Sequence, residues 1–400
     1  MLNVITLDKA KNLISSRLQN HSIITLDLDS AVGKIVAKDI FCSQDLPQFC
    51  RSTMDGYAVK SSNLVGASQS VPAAFKLIGK SIMGKKTDLK ILDGQCVYVP
   101  TGAMLPHGSD AVVMIEHTSK LLDEVFVYTP VKAKENIIEK GEDYKKGSML
   151  LPKGSILTSA KIGVLASAGV SVVPVFKPMT FSLISTGDEI VPSCAQLTGC
   201  NIRDINSHML SAMIKTVGQA NSSIIVSDDF DKLVKAIENG LNSSDIIVIS
   251  GGSSVGYSDY TKKAILRFTD DLFIEGIALK PGKPTMAASV DNKLILGLPG
   301  NPMAAHVAFS KVFIDGVYDA FGIKEQKKLF ARAKTNFPSA SGRATVMPLK
   351  LEESAQGYLA SPLFYKSGLI NVLSKADGYT IIPDNEEGIL ADTLLEVFPI

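Results

Sequence analysis

The sequence predicts an α/β fold flanked by β-rich regions, in a chain built from several domains. Three observations carry this. The chain has 400 residues, and at roughly 100–200 residues per domain it is too long for one. Between about Val175 and Gly322, strand, loop and helix alternate four times, the rhythm of a parallel sheet covered on both faces. On either side of that stretch, short β-rich runs are separated by Gly, Pro and Asp turns.

The elements follow in order. Leu7, Ala10, Leu13, Ile14 and Leu18 recur at helical spacing, so Leu7–Leu18 should be an amphipathic helix. From Ser30 to about Leu151 the β-rich runs Gly33–Val36, Gln95–Val99, Ala111–Ile115 and Glu124–Tyr128 dominate. A Gly/Lys/Pro turn at Lys145–Gly154 closes that region, and Ser159–Gly169 reads as a helix ended by Gly169. The strands expected next are Thr180–Ile184, Ser223–Val226, Asp245–Ile249 and Lys293–Leu296. Their partner helices are His208–Val217, Phe230–Asn239, Tyr260–Phe268 and Met303–Val317. Phe330–Ile400 is again β-rich, punctuated by Pro348, Gly357, Pro362, Gly368, Gly378 and Pro383, and fits a small barrel or sandwich.

Composition narrows the function. Hydrophobic residues make up 46% and charged residues 20%, as in a globular protein. With 41 Lys+Arg against 40 Asp+Glu, the net charge of +1 lacks the basic excess of a nucleic-acid binder. No apolar run reaches the ~18 residues that span a membrane; Ile162–Phe176 is diluted by Ser167, Gly169, Ser171 and Pro174. Asp8 falls where a secretion signal needs apolar residues, so a cytoplasmic chain is expected. The five cysteines form no C-x-x-C pair and the five histidines no H-E-x-x-H, which argues against a zinc site or a disulfide framework.

In an open α/β sheet, ligands bind beyond the carboxyl ends of the strands. Here those ends carry Gly-rich or acidic loops. Ser250-Gly251-Gly252-Ser253-Ser254-Val255-Gly256 has glycines that let backbone N–H groups approach a phosphate. Its Gly251-x4-Gly256 spacing imitates a P-loop, but Tyr257-Ser258 stands where the lysine belongs, so nucleoside-triphosphate hydrolysis is disfavoured. A plain Gly-rich turn remains the alternative. Leu298-Pro299-Gly300-Asn301-Pro302 can cap and start a helix, and the same rigid turn can aim N–H groups at an anion. Lys280-Pro281-Gly282-Lys283-Pro284 fixes two lysines on a stiff turn, either a solvated loop or a cationic clamp for an oxyanion. Asp188, Glu189, Asp228, Asp229 and Asp259 all follow predicted strands. Acids gathered on one edge call for a cation such as Mg²⁺, although helix capping explains any one of them. Arg51-Ser52-Thr53-Met54-Asp55-Gly56 packs polar groups between apolar ones, and a hairpin turn with a local Arg–Asp pair explains it as well.

Together these segments resemble the molybdopterin molybdenumtransferase family of the MoeA type, related to the E domain of gephyrin. The resemblance rests on Arg51–Ala58, Pro100–Ala103, Gly108–Val113, Gly141–Asp143, Ser185–Glu189, Ser250–Gly252, Asp259-Tyr260, Lys280–Pro284 and Gly297–Pro302, in the family's order. Two departures stand out. Ser253-Ser254 and Tyr257 replace the family's Val-Ser pair and an acid, and Gly276 replaces a basic residue four positions before Lys280.

The resemblance implies an elongated homodimer of four-part chains. Residues 1–45 and 145–175 would form a two-segment linker domain, 46–144 an inserted β domain, 176–326 the α/β molybdopterin-binding domain, and 327–400 a C-terminal β-barrel. It implies insertion of molybdate into adenylylated molybdopterin, with release of AMP. Asp55, Thr101, Asp143, Glu189 and Asp259 fall on catalytic positions. Arg51, Ser52, Thr186, Gly251, Gly252, Lys280, Lys283, Pro299, Gly300, Asn301 and Pro302 fall on binding positions, and Asp188, Glu189, Asp228 and Asp259 on those expected to hold Mg²⁺, with Asp229 the alternative to Asp228. A molybdopterin adenylyltransferase would be a transient partner, and the site would be shared across the dimer. Neither nucleic acid nor membrane is expected as a partner. The rival readings are a non-catalytic gephyrin-like scaffold and a nucleotide or pyrophosphate hydrolase on a similar α/β domain.

Overall fold

A computed structural model describes residues 3–251, 255–324, 328–339, 341–365 and 369–400, with backbone only at 255–259. The chain divides into two compact units. One comprises 1–38, 153–157 and 173–400; the other comprises 39–152 and 158–172. The two segments expected to form a linker are thus divided between the units.

Helix α1, Leu7–Leu18, has the expected bounds because Thr6 caps it: the Thr6 hydroxyl accepts the Lys9 N–H at 3.3 Å. Ala10, Ile14 and Leu18 are its buried stripe. In the second unit, the strands Ala111–Met114, Gly56–Val59, Gln95–Val99, Ala73–Lys80, Glu124–Val127 and Thr118–Leu121 neighbour one another in that order. Phe75, Cys96, Val113 and Val125 fill one face. Helix α2, Ser159–Ser167, belongs to the same unit, and Gly169 just beyond it has φ +76°, where a left-handed residue ends a helix.

The first unit is organised by a six-stranded sheet. Its strands are β1 (Met179–Thr186), β2 (Gly218–Val226), β3 (Ile246–Gly251), β4 (Leu272–Ile274), β5 (Met286–Val290) and β6 (Lys293–Leu298). The order is β2-β1-β3-β6-β5-β4. The first four of these are parallel, as the alternating rhythm requires. β5 runs antiparallel to β6, and β4 to β5, so the sheet is mixed at one edge. The tight turn at Asp291, φ +52°, reverses the chain there. β2 starts five residues earlier than expected, because an edge strand need not bury its side chains and its Gln219, Ala220 and Asn221 read as loop.

Helices α3 (Asn206–Ile214), α4 (Phe230–Ser243) and α5 (Val255–Ile265) follow β1, β2 and β3. After β6 come α6 (Pro302–Ala308), a π-helical stretch Phe309–Ile314, and α7 (Asp315–Phe321). α1 lies against α7 so closely that a Cβ on Gly316 would meet Ile14 Cγ2 at 2.8 Å. The C-terminal strands Ala344–Ser354, Gly357–Pro362, Leu329–Ala333 and Leu394–Val397 pair in that order. Gly378–Ile382 pairs with Ala344–Ser354, and Tyr379 with Phe398, so the path of pairings returns on itself.

His306 of α6 is 8% exposed and meets the Tyr379 ring edge-on, with centroids 6.4 Å apart. Its Nδ1 has no partner. Burial pushes the imidazole down from 6.5 to about 4. The unfolded chain therefore binds a proton that the folded chain refuses. Stability should fall as pH drops below about 6.5 and level off near 4, by about 3 kcal/mol in all. Urea melts at pH 7 and pH 4, compared between wild type and His306→Leu, should show this share of the acid sensitivity vanish in the variant. Equal slopes would contradict it.

Candidate active site

The carboxyl ends of β1, β3 and β6 are aligned by register: Ser185 pairs with Ser250, and Ser250 with Leu298. Beyond them lies a cavity of about 1060 Å³. Its wall includes Thr186, Glu189, Asp228, Gly251, Gly300, Asn301 and Pro302, so seven of the positions singled out in the sequence meet there.

The wall is rigid for local reasons. Gly251, at φ +143°, is paired with Thr186, and a Cβ on it would lie 2.3 Å from Thr186 Oγ1. Only glycine lets the two strands approach so closely. Asn301 caps α6, its side chain accepting the Ala304 N–H at 3.2 Å, and Pro302 opens the helix. The expected cap and helix start are both present. Pro299 is buried behind the wall.

The acids divide their work. Asp229 caps α4 by accepting the Lys232 N–H, leaving Asp228 to line the cavity. Asp188 does not line it; its Oδ1 accepts the Asp228 N–H at 3.0 Å and so holds that loop. The Glu189 carboxylate lies beside Gly187, on the wall. Two carboxylates with room for a phosphate ligand suit Mg²⁺, which commonly takes one or two carboxylates plus phosphate oxygens. No group of three His, Cys, Asp or Glu side chains converges among the described residues. Asp259 is on α5, but its side chain lies outside the described residues, as does all of Gly252.

Lys280 and Lys283 are exposed and do not line the cavity. Their turn still reaches the same edge of the sheet, because it leads into Met286, which pairs with Gly297 near the end of β6. In the other unit, Asp55 and Thr101 come together. The Thr101 N–H and hydroxyl donate to Asp55 Oδ1 at 2.6 and 2.9 Å. These bonds, the backbone one foremost, hold the Asp55 carboxyl below the usual carboxylate range. The local Arg51–Asp55 pair does not form among the described ion pairs. Arg51 and Ser52 pair instead with Ile138 and Ile137, and the Ser52 hydroxyl is taken up by Met54. Asp143 is exposed, and its N–H bonds Leu46 O.

Sequence reasoning passed over the segment before α3. Asp204 is 6% exposed, accepting from the Ser185 hydroxyl at 2.9 Å and the Ser207 N–H at 3.1 Å. Asn206 donates to Ser250 Oγ at 3.0 Å and to Gly300 O at 2.9 Å, tying the ends of β3 and β6 together. Arg203 also lines the cavity. The polar run Asn201-Ile202-Arg203-Asp204-Ile205-Asn206 was the available signal.

Comparison with known proteins gives concordant results. Residues 5–169 match the family described as MoeA N-terminal region (domain I and II), 182–317 one described as "Probable molybdopterin binding domain", and 331–400 the MoeA C-terminal region (domain IV). A Methanocaldococcus jannaschii protein whose name places it in molybdopterin biosynthesis is 33% identical, over 99% of this chain and 98% of its own. A Staphylococcus aureus molybdopterin molybdenumtransferase is 30% identical, over 99% and 95%. A crystal structure of a molybdopterin biosynthesis MoeA protein from Pyrococcus horikoshii is 32% identical over 99% of both chains, with a TM-score of 0.83.

The Gly251–Thr186 contact is open to test. Gly251→Ala should lose more than about 2 kcal/mol in urea unfolding, because backbone and a hydroxyl must both yield. A variant as stable as wild type would show that the strand ends are not held this tightly.

Proposed function

The chain belongs to the MoeA family of molybdopterin molybdenumtransferases, and on that premise we propose that its α/β cavity takes adenylylated molybdopterin and, with molybdate, yields molybdenum cofactor and AMP. It is a transferase of molybdenum cofactor biosynthesis. The observation that supports the finer reading is the meeting of Glu189 and Asp228 with the Gly251 and Asn301 turns on one cavity wall. Carboxylates and anion-seeking backbone do not share a wall for a purely apolar ligand.

The roles follow from position. Gly251, Gly300 and Asn301, with Pro302 fixing the helix start, would seat the phosphates, and Thr186 and Gly252 would complete that cradle. Glu189 and Asp228 would hold Mg²⁺, with Asp259 from α5 and Asp188 steadying the Asp228 loop. Bound there, Mg²⁺ would offset charge on the phosphoanhydride oxygens. Lys280 and Lys283, exposed on the same edge, would attract molybdate. Asp55, kept ionised by Thr101, would act with Asp143, Arg51 and Ser52 as the contribution of the inserted β region. A homodimer in which two chains complete each site would bring that region to the cavity. Delivery by a molybdopterin adenylyltransferase and a cytoplasmic setting complete the proposal; the five cysteines are all free thiols, as that setting favours.

AMP release from adenylylated molybdopterin, with and without molybdate, tests the reading. Release that needs molybdate supports it, release without molybdate indicates a hydrolase, and no release indicates a scaffold. Asp228→Asn should lower molybdate-dependent release at least tenfold at an unchanged melting temperature. Asp229→Ala should instead cost about 1 kcal/mol of stability by uncapping α4, with activity retained. The opposite pattern would transfer the functional role to Asp229.

Subunit mixing tests the shared site. Asp55→Asn and Asp259→Asn should each be inactive alone and, once mixed, regain roughly a quarter of wild-type activity after random exchange, since about half the dimers then carry one intact site. No recovery despite demonstrated exchange would place each site within one chain.

A further inference from the structure

The opposite edge of the same sheet carries a second feature, which does not depend on the proposed chemistry. At the amino ends of β1 and β2, where Met179 pairs with Gly218, Lys34, Lys177 and Lys215 line one small pocket. The Lys153 ammonium joins them, 5.5 Å from the centre of the Phe176 ring. That ring is stacked on Phe321 at 3.9 Å, and both are buried, so the floor beneath the lysines is rigid and dry.

None of Lys34, Lys177 and Lys215 has a carboxylate within 4.0 Å among the described residues, whereas Lys11, Arg17, Lys60 and Lys311 are each paired. A carboxylate whose charge does interact with Lys177 is Asp245, and that one already accepts from the Thr180 N–H and hydroxyl at 2.9 and 2.7 Å. The His21 ring beside Lys177 is likewise engaged, 2.6 Å from Lys177 O. In a chain of net charge +1, a local excess of cations stands out.

The dimensions say what such charge serves. The pocket holds about 30 Å³, room for water and not for a phosphate or a nucleotide. The anion must therefore lie across the surface. Nucleic acid needs a longer basic track than one cluster in a neutral chain supplies. A bilayer would call for an apolar fringe, and here the phenylalanines are buried. We propose that the lysine cluster at the amino edge of the sheet is a docking surface for an acidic segment of a partner protein. Such a contact adds to the encounter rate and to specificity more than to affinity, and salt weakens it.

The probe is a fluorescently labelled octaglutamate peptide, with octaglutamine as the neutral control, followed by anisotropy on the full chain at low and high salt. Wild type should bind octaglutamate at low salt, lose it at high salt, and ignore octaglutamine. Lys34→Glu/Lys215→Glu should weaken binding at least tenfold. Lys76→Glu/Lys85→Glu, at exposed lysines with no assigned role and with the same change in net charge, should leave it within twofold. Lys34→Gln/Lys215→Gln, which introduces no new acids, should also weaken binding, and its melting temperature reports that the fold persists. Equal affinity in wild type and the Lys34/Lys215 variants overturns the proposal. So does equal weakening by the Lys76/Lys85 pair, which would reduce the effect to bulk charge. Tighter binding of an eight-nucleotide single strand through the same lysines would replace the acidic protein with nucleic acid.

Discussion

The register of three parallel strands governs everything at the cavity. β3 is buried along nearly its whole length, and β1 and β6 flank it in continuous parallel pairing. Fixed register puts Ser185 and Ser250 in one row near the carboxyl ends, two hydroxyls inside an aliphatic sheet. A buried hydroxyl without a partner costs on the order of 1–3 kcal/mol, so the row needs acceptors and donors from elsewhere. Asp204 and Asn206 supply them. In doing so they bring the chain before α3 over the sheet ends, and Asn206 pins the Gly300 carbonyl besides. The cavity wall is thus a consequence of satisfying polar groups that the sheet cannot satisfy alone.

Much of this was legible in the sequence, and the parts that were not share a cause. Helical spacing and a threonine cap set α1 to the residue. Continuous apolar runs located β1, β3 and β6, because strands covered on both faces must be apolar throughout. Their ends were read short. Thr186, Ser250 and Gly251 look like loop residues, yet backbone pairing holds them in strands. β2 was shortened likewise, its polar residues being tolerated at an edge. The antiparallel pair β4–β5 lacks the helix that announced the other strands, and its short, small-residue runs carry little periodicity.

The site was legible as chemistry and less so as geometry. Sequence spacing put all the acids after strands, but it cannot say which side chain faces the cavity. Asp228 and Asp229 are neighbours with opposite duties, one on the wall and one on a helix N-terminus, and only the dihedral angles of the loop decide between them. Asp188 follows the same strand as Glu189, and its Oδ1 accepts the Asp228 N–H, a contact that spacing along the chain cannot reveal. The segment around Asp204 escaped notice because its strand, Ile202-Arg203, is two residues long and has no pattern to detect. Its meaning comes from partners 19 to 94 residues away in the chain.

The division of the chain has a bearing on biogenesis. Residues 39–152 and 158–172 form one compact unit, threaded between pieces of the other. On a ribosome, that unit has all its residues by position 172. α1 does not: its buried stripe packs on α7, at the close contact of Ile14 with Gly316. Translation at 5–20 residues per second separates these two by roughly 15–60 s. Through that interval Ile14 lacks the α7 surface it packs on, so the first helix made is among the last to complete its docking. A nascent chain stalled before α7 would show a folded inserted unit beside an N-terminal helix open to chaperones and proteases.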